Sequence, residues 1–166
     1  MKNIILTGMP GSGKSTLGVV LARRLGYGFM DTDSVISQKE KKTLQSIIDE
    51  KGLEYFLGVE CEIGSTVMCD RVIIATGGSM VMSSEAMEHL SEIGTVVFID
   101  VPIEELKRRL GNFGDRGIAM QGTETLDDVL RARLPYYEKY ADIVVKYKSG
   151  NSLEETVDDI IKALNK

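Results

Sequence analysis

Gly8-Met9-Pro10-Gly11-Ser12-Gly13-Lys14-Ser15 fits G-x-x-x-x-G-K-[ST] at every defined position. Glycines in such a run let backbone N–H groups turn inward around an anion, and a helix opening behind them adds its positive end. Lys14 would reach the β- and γ-phosphates, and the Ser15 hydroxyl suits Mg²⁺. Gly11, Ser12, Gly13, Lys14, Ser15 and Thr16 are therefore the expected ligands of ATP and its Mg²⁺. The motif specifies a nucleoside triphosphate but no reaction.

A second cluster, Asp31-Thr32-Asp33, carries two carboxylates. Residues two apart in an extended chain point the same way, so both can face one site. Like charges that close repel unless a cation lies between them. Mg²⁺ and an acceptor hydroxyl would give them separate work: Asp31 in the metal's shell, through water, and Asp33 orienting the hydroxyl and taking its proton. Asp33 also reads as a helix cap ahead of Ser34–Lys39.

The elements that must hold these residues alternate. Apolar runs predict strands at Lys2–Thr7, Phe29–Asp31, Arg71–Ala75, Thr95–Val101 and Asp142–Lys146. Helices are predicted over Lys14–Leu25, Ser83–Glu92, Pro102–Leu110, Thr125–Tyr140 and Ser152–Leu164. Residues 34–69 read as helical with a break near Gly52, and Gly111–Gly122 as a mobile loop. Apolar strands alternating with helices imply an α/β fold, a parallel sheet covered on both faces. Ligands of such sheets bind beyond the carboxyl ends of the strands, where both motifs fall.

Composition narrows the partners. The chain has 166 residues, the size of one domain, with 43% hydrophobic and 27% charged residues. A net charge of -5 argues against nucleic acid. No run is long enough to span a membrane, and Ile4–Leu6 is too short for a signal segment. Cys61 and Cys69 would lie roughly 12 Å apart on one helix, too far for a disulfide, and read as reduced thiols. With His89 as the only histidine, a Cys/His metal site lacks ligands. A cytoplasmic monomer acting on a small molecule is expected.

The phosphate loop, Asp31-x-Asp33, Ala75-Thr76-Gly77-Gly78, a late-loop arginine and Arg133-Leu134-Pro135-Tyr136-Tyr137-Glu138-Lys139-Tyr140-Ala141-Asp142 stand in the order and spacing of shikimate kinases. Across nearly its whole length the chain resembles that family. The resemblance implies a three-layer α/β/α P-loop kinase resembling nucleoside-monophosphate kinases, with a central five-stranded parallel sheet. Residues 1–166 would form a single kinase domain, with 34–69 as the substrate-binding helical segment and 111–122 as a moving lid. It also implies that Arg133 holds the shikimate carboxylate, for which a guanidinium's two parallel donors are suited. Gly77 and Gly78 would let the substrate ring approach the backbone. Arg116, on the lid, would neutralise charge on the transferring phosphoryl group, and Arg109 would pack on the adenine plane. Arg109 also reads as one of three charges closing a helix.

The chain departs from the family pattern in three places. Leu57 stands where an F-R-x-x-E segment places an arginine that grips the substrate carboxylate. Ser79 replaces a third glycine and joins Gly77 and Gly78 as a candidate substrate contact, by bonding or crowding. Arg116-Gly117-Ile118-Ala119 keeps the arginine of an R-P-L-L lid on a looser backbone. The expected activity is ATP-dependent phosphorylation of a small-molecule hydroxyl, with shikimate the first acceptor. A sugar acid or polyol is the alternative, and a nucleoside or nucleotide a more distant one. A signalling GTPase lacks its N-K-x-D guanine reader here.

Overall fold

The computed structural model describes residues 2–111 and 124–166. The strands are β1 (Asn3–Thr7), β2 (Gly28–Asp31), β3 (Val72–Ala75), β4 (Gly94–Asp100) and β5 (Ile143–Lys146). All pair in parallel, in the order β2-β3-β1-β4-β5. The helices are α1 (Lys14–Leu25), α2 (Thr32–Glu40), α3 (Leu44–Lys51), α4 (Leu53–Thr66), α5 (Ser84–Ile93), α6 (Ile103–Leu110), α7 (Leu126–Tyr140) and α8 (Leu153–Leu164). They cover both faces of the sheet, and β1, buried at every position, runs through its centre.

Boundaries follow local chemistry. Gly26, with φ 67°, ends α1 in the left-handed region. Thr125 opens α7 and Ser152 opens α8 with reciprocal capping boxes, to Asp128 and Glu155 respectively. Ser83 caps α5 by accepting from Ala86 N–H. The helical stretch expected over 34–69 breaks twice, not once. Besides the Gly52 break, α2 stops at Lys41, whose φ of 55° is left-handed, and Thr43 caps α3. A 3₁₀ turn, Met80–Met82, follows β3, where the sequence predicts no element.

Two apolar cores result. The larger lies about the sheet. The smaller, Ile36, Ile47, Phe56 and Val59, joins α2, α3 and α4, with Leu57 packed against it. The chain leaves β1 toward β2 on one side and leaves the neighbouring β3 toward β4 on the other, so a crevice opens at the carboxyl ends of these central strands.

Candidate active site

The loop between β1 and α1 has the shape of an anion cradle. Gly11 and Gly13 have φ of 79° and 91°, which side chains rarely tolerate, and a Cβ on Gly11 would come within 2.9 Å of Leu110. No side chain caps α1 at Gly13, so its first N–H groups remain available to an anion. Lys14 is buried and curls over its own loop, its Nζ donating to Gly8 O (2.8 Å), Met9 O (2.9 Å) and Ser12 Oγ (3.3 Å). Burial pulls its pKa down to about 8, against the upward pull of Asp33; nearby Arg133 lowers it further and Asp31 raises it.

Asp31, Thr32 and Asp33 each do something different. Asp31 ends β2 and caps α2, its Oδ1 accepting from Ser34 N–H (3.2 Å), while its Oδ2 accepts from the Ser15 hydroxyl. Thr32 Oγ1 accepts from Gly77 N–H (2.9 Å), pinning the end of β3 to α2. Asp33 lines the main cavity, and burial above all, then the Asp31 charge, raises its carboxyl to about 6. The expectation that both carboxylates share one face because the chain is extended is corrected here. The strand stops at Asp31, and the helical turn that begins at Thr32 swings Asp33 inward. The helix cap is Asp31, not Asp33.

Arg133 is placed by the residue one turn later. Tyr137 stacks on Phe98 of β4, with ring centroids 5.0 Å apart and planes 10° from parallel, and its hydroxyl donates to Gly78 O (2.7 Å). Positions i and i+4 share a helix face, so this anchorage turns Arg133 into the same crevice, where it is only 4% exposed. Gly77 and Gly78 serve these side chains. A Cβ on Gly78 would meet Arg133 Nη1 at 2.8 Å and Pro10 Cδ at 2.9 Å. One on Gly77 would meet Asp33 Oδ1 at 2.5 Å and Glu60 Oε2 at 2.7 Å.

Glu60 escaped the sequence reading as a site residue. It is 2% exposed on α4, and the Ser79 hydroxyl donates to its Oε1 at 2.6 Å. Burial raises its carboxyl to about 7, with Asp33 adding to the rise and Ser79 and Arg133 opposing it. Its signal was an acidic residue on the otherwise apolar, core-facing side of α4 with Phe56 and Val59. Leu57 does not line the cavity; its apolar side chain packs on the small core.

The main cavity, about 400 Å³, brings Lys14, Ser15, Asp33, Glu60, Ser79 and Arg133 together. A second, about 290 Å³, adjoins it across Gly13, Thr16 and Arg109 and is walled by Tyr147, Asn151 and Leu153. Arg109 stands between them. It donates to Gly11 O (3.0 Å) and Glu105 Oε1 (2.9 Å), and its guanidinium lies 5.2 Å from the Tyr147 ring centre. The loop after β5 that supplies Tyr147 was not singled out, although it too follows a strand's carboxyl end. Arg116 lies outside the described residues, as does the expected lid apart from Gly111.

The family model for shikimate kinase matches residues 10–165. The chain belongs to the shikimate kinase family. A shikimate kinase of Persephonella marina is 33% identical over 162 residues, 97% of this chain and 98% of that protein. One from Clostridium botulinum strain Eklund 17B is 35% identical, covering 99% and 98%. Among solved structures, shikimate kinase from Acinetobacter baumannii in complex with shikimate superposes with a TM-score of 0.88 at 27% identity, covering 99% of this chain and 93% of that one. The Aquifex aeolicus enzyme gives 0.79 at 30%, covering 98% and 96%. Like other shikimate kinases, the protein is an ATP phosphotransferase acting on a hydroxyl group, built on the P-loop kinase fold.

Proposed function

We propose that this chain transfers the terminal phosphoryl group of ATP to the 3-hydroxyl of shikimate. One observation carries the reading: an ammonium, a carboxylate and a guanidinium, from Lys14, Asp33 and Arg133, line one cavity beside an uncapped helix N-terminus. A triphosphate fits the glycine cradle, and the hydroxyl–carboxylate pair Ser15–Asp31 offers hard oxygen ligands suited to Mg²⁺.

Mg·ATP, when bound, supplies the phosphoryl group and screens its charge. Lys14 exchanges its loop carbonyls for phosphate oxygens, and the N–H groups of Gly13 to Thr16 hold the triphosphate. Arg133 binds the acceptor's carboxylate and so fixes the ring. Asp33 accepts the proton of the hydroxyl that attacks, for which a carboxyl raised to about 6 by burial is better matched than an ordinary one. Thr32 and Tyr137, tied to the Gly77-Gly78 segment, keep the three groups in register. Arg109 and Tyr147 form the side of the base pocket. All these residues come from one chain, so a monomer is sufficient. Acidic composition and two free thiols support a cytoplasmic setting.

The test is ADP release over a panel of hydroxylated acids and polyols that includes shikimate, with the parent and Asp33→Asn. Shikimate should be the preferred acceptor, and the variant should lose about 10²–10⁴-fold in kcat with ATP KM nearly unchanged. Turnover of another acid with shikimate ignored would overturn the acceptor. A large rise in ATP KM at constant kcat would move Asp33 to the nucleotide side.

A further inference from the structure

One of the chain's departures from its family's pattern, Ser79, meets a buried carboxylate, Glu60. Glu60 lies one helical turn beyond Leu57 on α4, and Ser79 follows Gly78 in the segment after β3. The Ser79 hydroxyl bridges these two walls of the cavity by donating to Glu60 Oε1 at 2.6 Å. With Leu57 drawn into the small core, the side-chain hydrogen bond that Glu60 accepts among the described residues comes from a neutral hydroxyl. Its other oxygen, Oε2, approaches the space above the Gly77 Cα to 2.7 Å, and Asp33 Oδ1 approaches the same point to 2.5 Å. Two carboxylates that line the cavity, from α2 and α4, thus lie side by side against the buried Gly77.

We infer that the Ser79–Glu60 pair is a specificity element, in which Glu60 Oε2 accepts a hydrogen bond from the acceptor hydroxyl vicinal to the one phosphorylated. The inference rests on the acceptor reading above. Asp33 takes the reacting hydroxyl, so a carboxylate converging with it from the neighbouring helix meets the next hydroxyl on the ring. Ser79 is a positioning residue: it occupies Oε1 and thereby aims Oε2. The site is then selective for hydroxylated acids with a vicinal diol, read by one guanidinium at the carboxylate end and two carboxylates at the diol end. A buried acceptor left without its donor is costly, so an analogue lacking that hydroxyl is rejected and not merely bound less well.

The experiment compares shikimate, 4-deoxyshikimate and 5-deoxyshikimate as acceptors for the parent, Glu60→Leu and Ser79→Ala. The parent should prefer shikimate over the 4-deoxy analogue by roughly 10- to 150-fold in kcat/KM, the worth of one hydrogen bond to a charged group. Glu60→Leu should bring that ratio close to one, while leaving the shikimate to 5-deoxyshikimate ratio and the ATP KM where they were. Ser79→Ala, which keeps the carboxylate and unbalances the fold least, should narrow the 4-deoxy ratio several-fold, and decides the matter if Glu60→Leu does not fold. An unchanged 4-deoxy ratio in the folded variants, or equal losses on all three acceptors, would overturn the inference. A parent that ignores shikimate but phosphorylates another hydroxylated acid overturns the acceptor reading alone. The same comparison, with that acid and its analogue lacking the vicinal hydroxyl, then decides the pair by the same ratio.

Discussion

Gly77→Ala adds one methyl group where the two carboxylates converge. Gly77 is not among the described residues with positive φ, so alanine imposes no backbone strain there. The new carbon would lie 2.5 Å from Asp33 Oδ1 and 2.7 Å from Glu60 Oε2, whereas ordinary contact begins at 3.4 Å. Both oxygens are the free ends of side chains, so they yield rather than the fold. Asp33 must retreat by about 0.9 Å and Glu60 by about 0.7 Å, and a misplacement of about 1 Å at a reacting group costs on the order of 10²-fold in rate. Overpacking of this kind destabilises by about 1–3 kcal/mol, which a folded kinase survives. The assay is coupled ADP release with shikimate, paired with calorimetric ATP binding and thermal unfolding. We expect kcat down about 10²-fold, ATP affinity within threefold of the parent and a cooperative transition retained. A kcat within threefold of the parent would refute the placement of Asp33 against Gly77.

Lys14→Ala should lower kcat by at least 10²–10³-fold, the usual cost of losing one group that stabilises transition-state charge, while thermal unfolding shows a folded protein. Turnover near the parent's would mean the ammonium does not leave Gly8 and Met9 for phosphate. Glu60→Gln should change stability in a pH-dependent way. The Glu60 carboxyl is raised from 4.5 to about 7 in the folded state, so the native protein holds that proton more tightly than the unfolded chain. Its ionisation therefore costs nothing below pH 4.5, and the cost builds up to about 3 kcal/mol above pH 7. Urea unfolding at pH 5 and pH 8 should show the variant gaining on the parent at the higher pH; an equal difference at both would contradict the burial of that charge.

Phosphate chemistry was legible because the loop's function depends on residues adjacent in sequence, and Gly8–Ser15 carries the backbone requirement in its composition. Strand and helix placement was legible for the same reason, through apolar runs and caps such as Ser83, Thr125 and Ser152. What could not be read was anything set by contacts between distant segments. The strand order brings residues after β2 and β3 to the cradle, and no local pattern states it. The Gly77-Gly78 pair, expected to give room to a substrate ring, also gives room to Asp33, Glu60, Arg133 and Pro10, from four separate segments. Glu60 is on an apolar helix face, and only the fold reveals that this face ends in a cavity with Ser79 opposite. Leu57 was read against a missing arginine, but a side chain's direction depends on the small core it packs against.

Phe56 is 2% exposed, belongs to the small core and also lines the acceptor cavity. Its mutational freedom is consequently narrow, since any replacement that reshapes the wall also unpacks α2, α3 and α4. Glu60 and Ser79 touch the cavity without belonging to that core. Divergence toward new acceptors is thereby channelled through polar positions beside Phe56, where a lineage can exchange one hydrogen-bonding partner for another and inherit the scaffold intact.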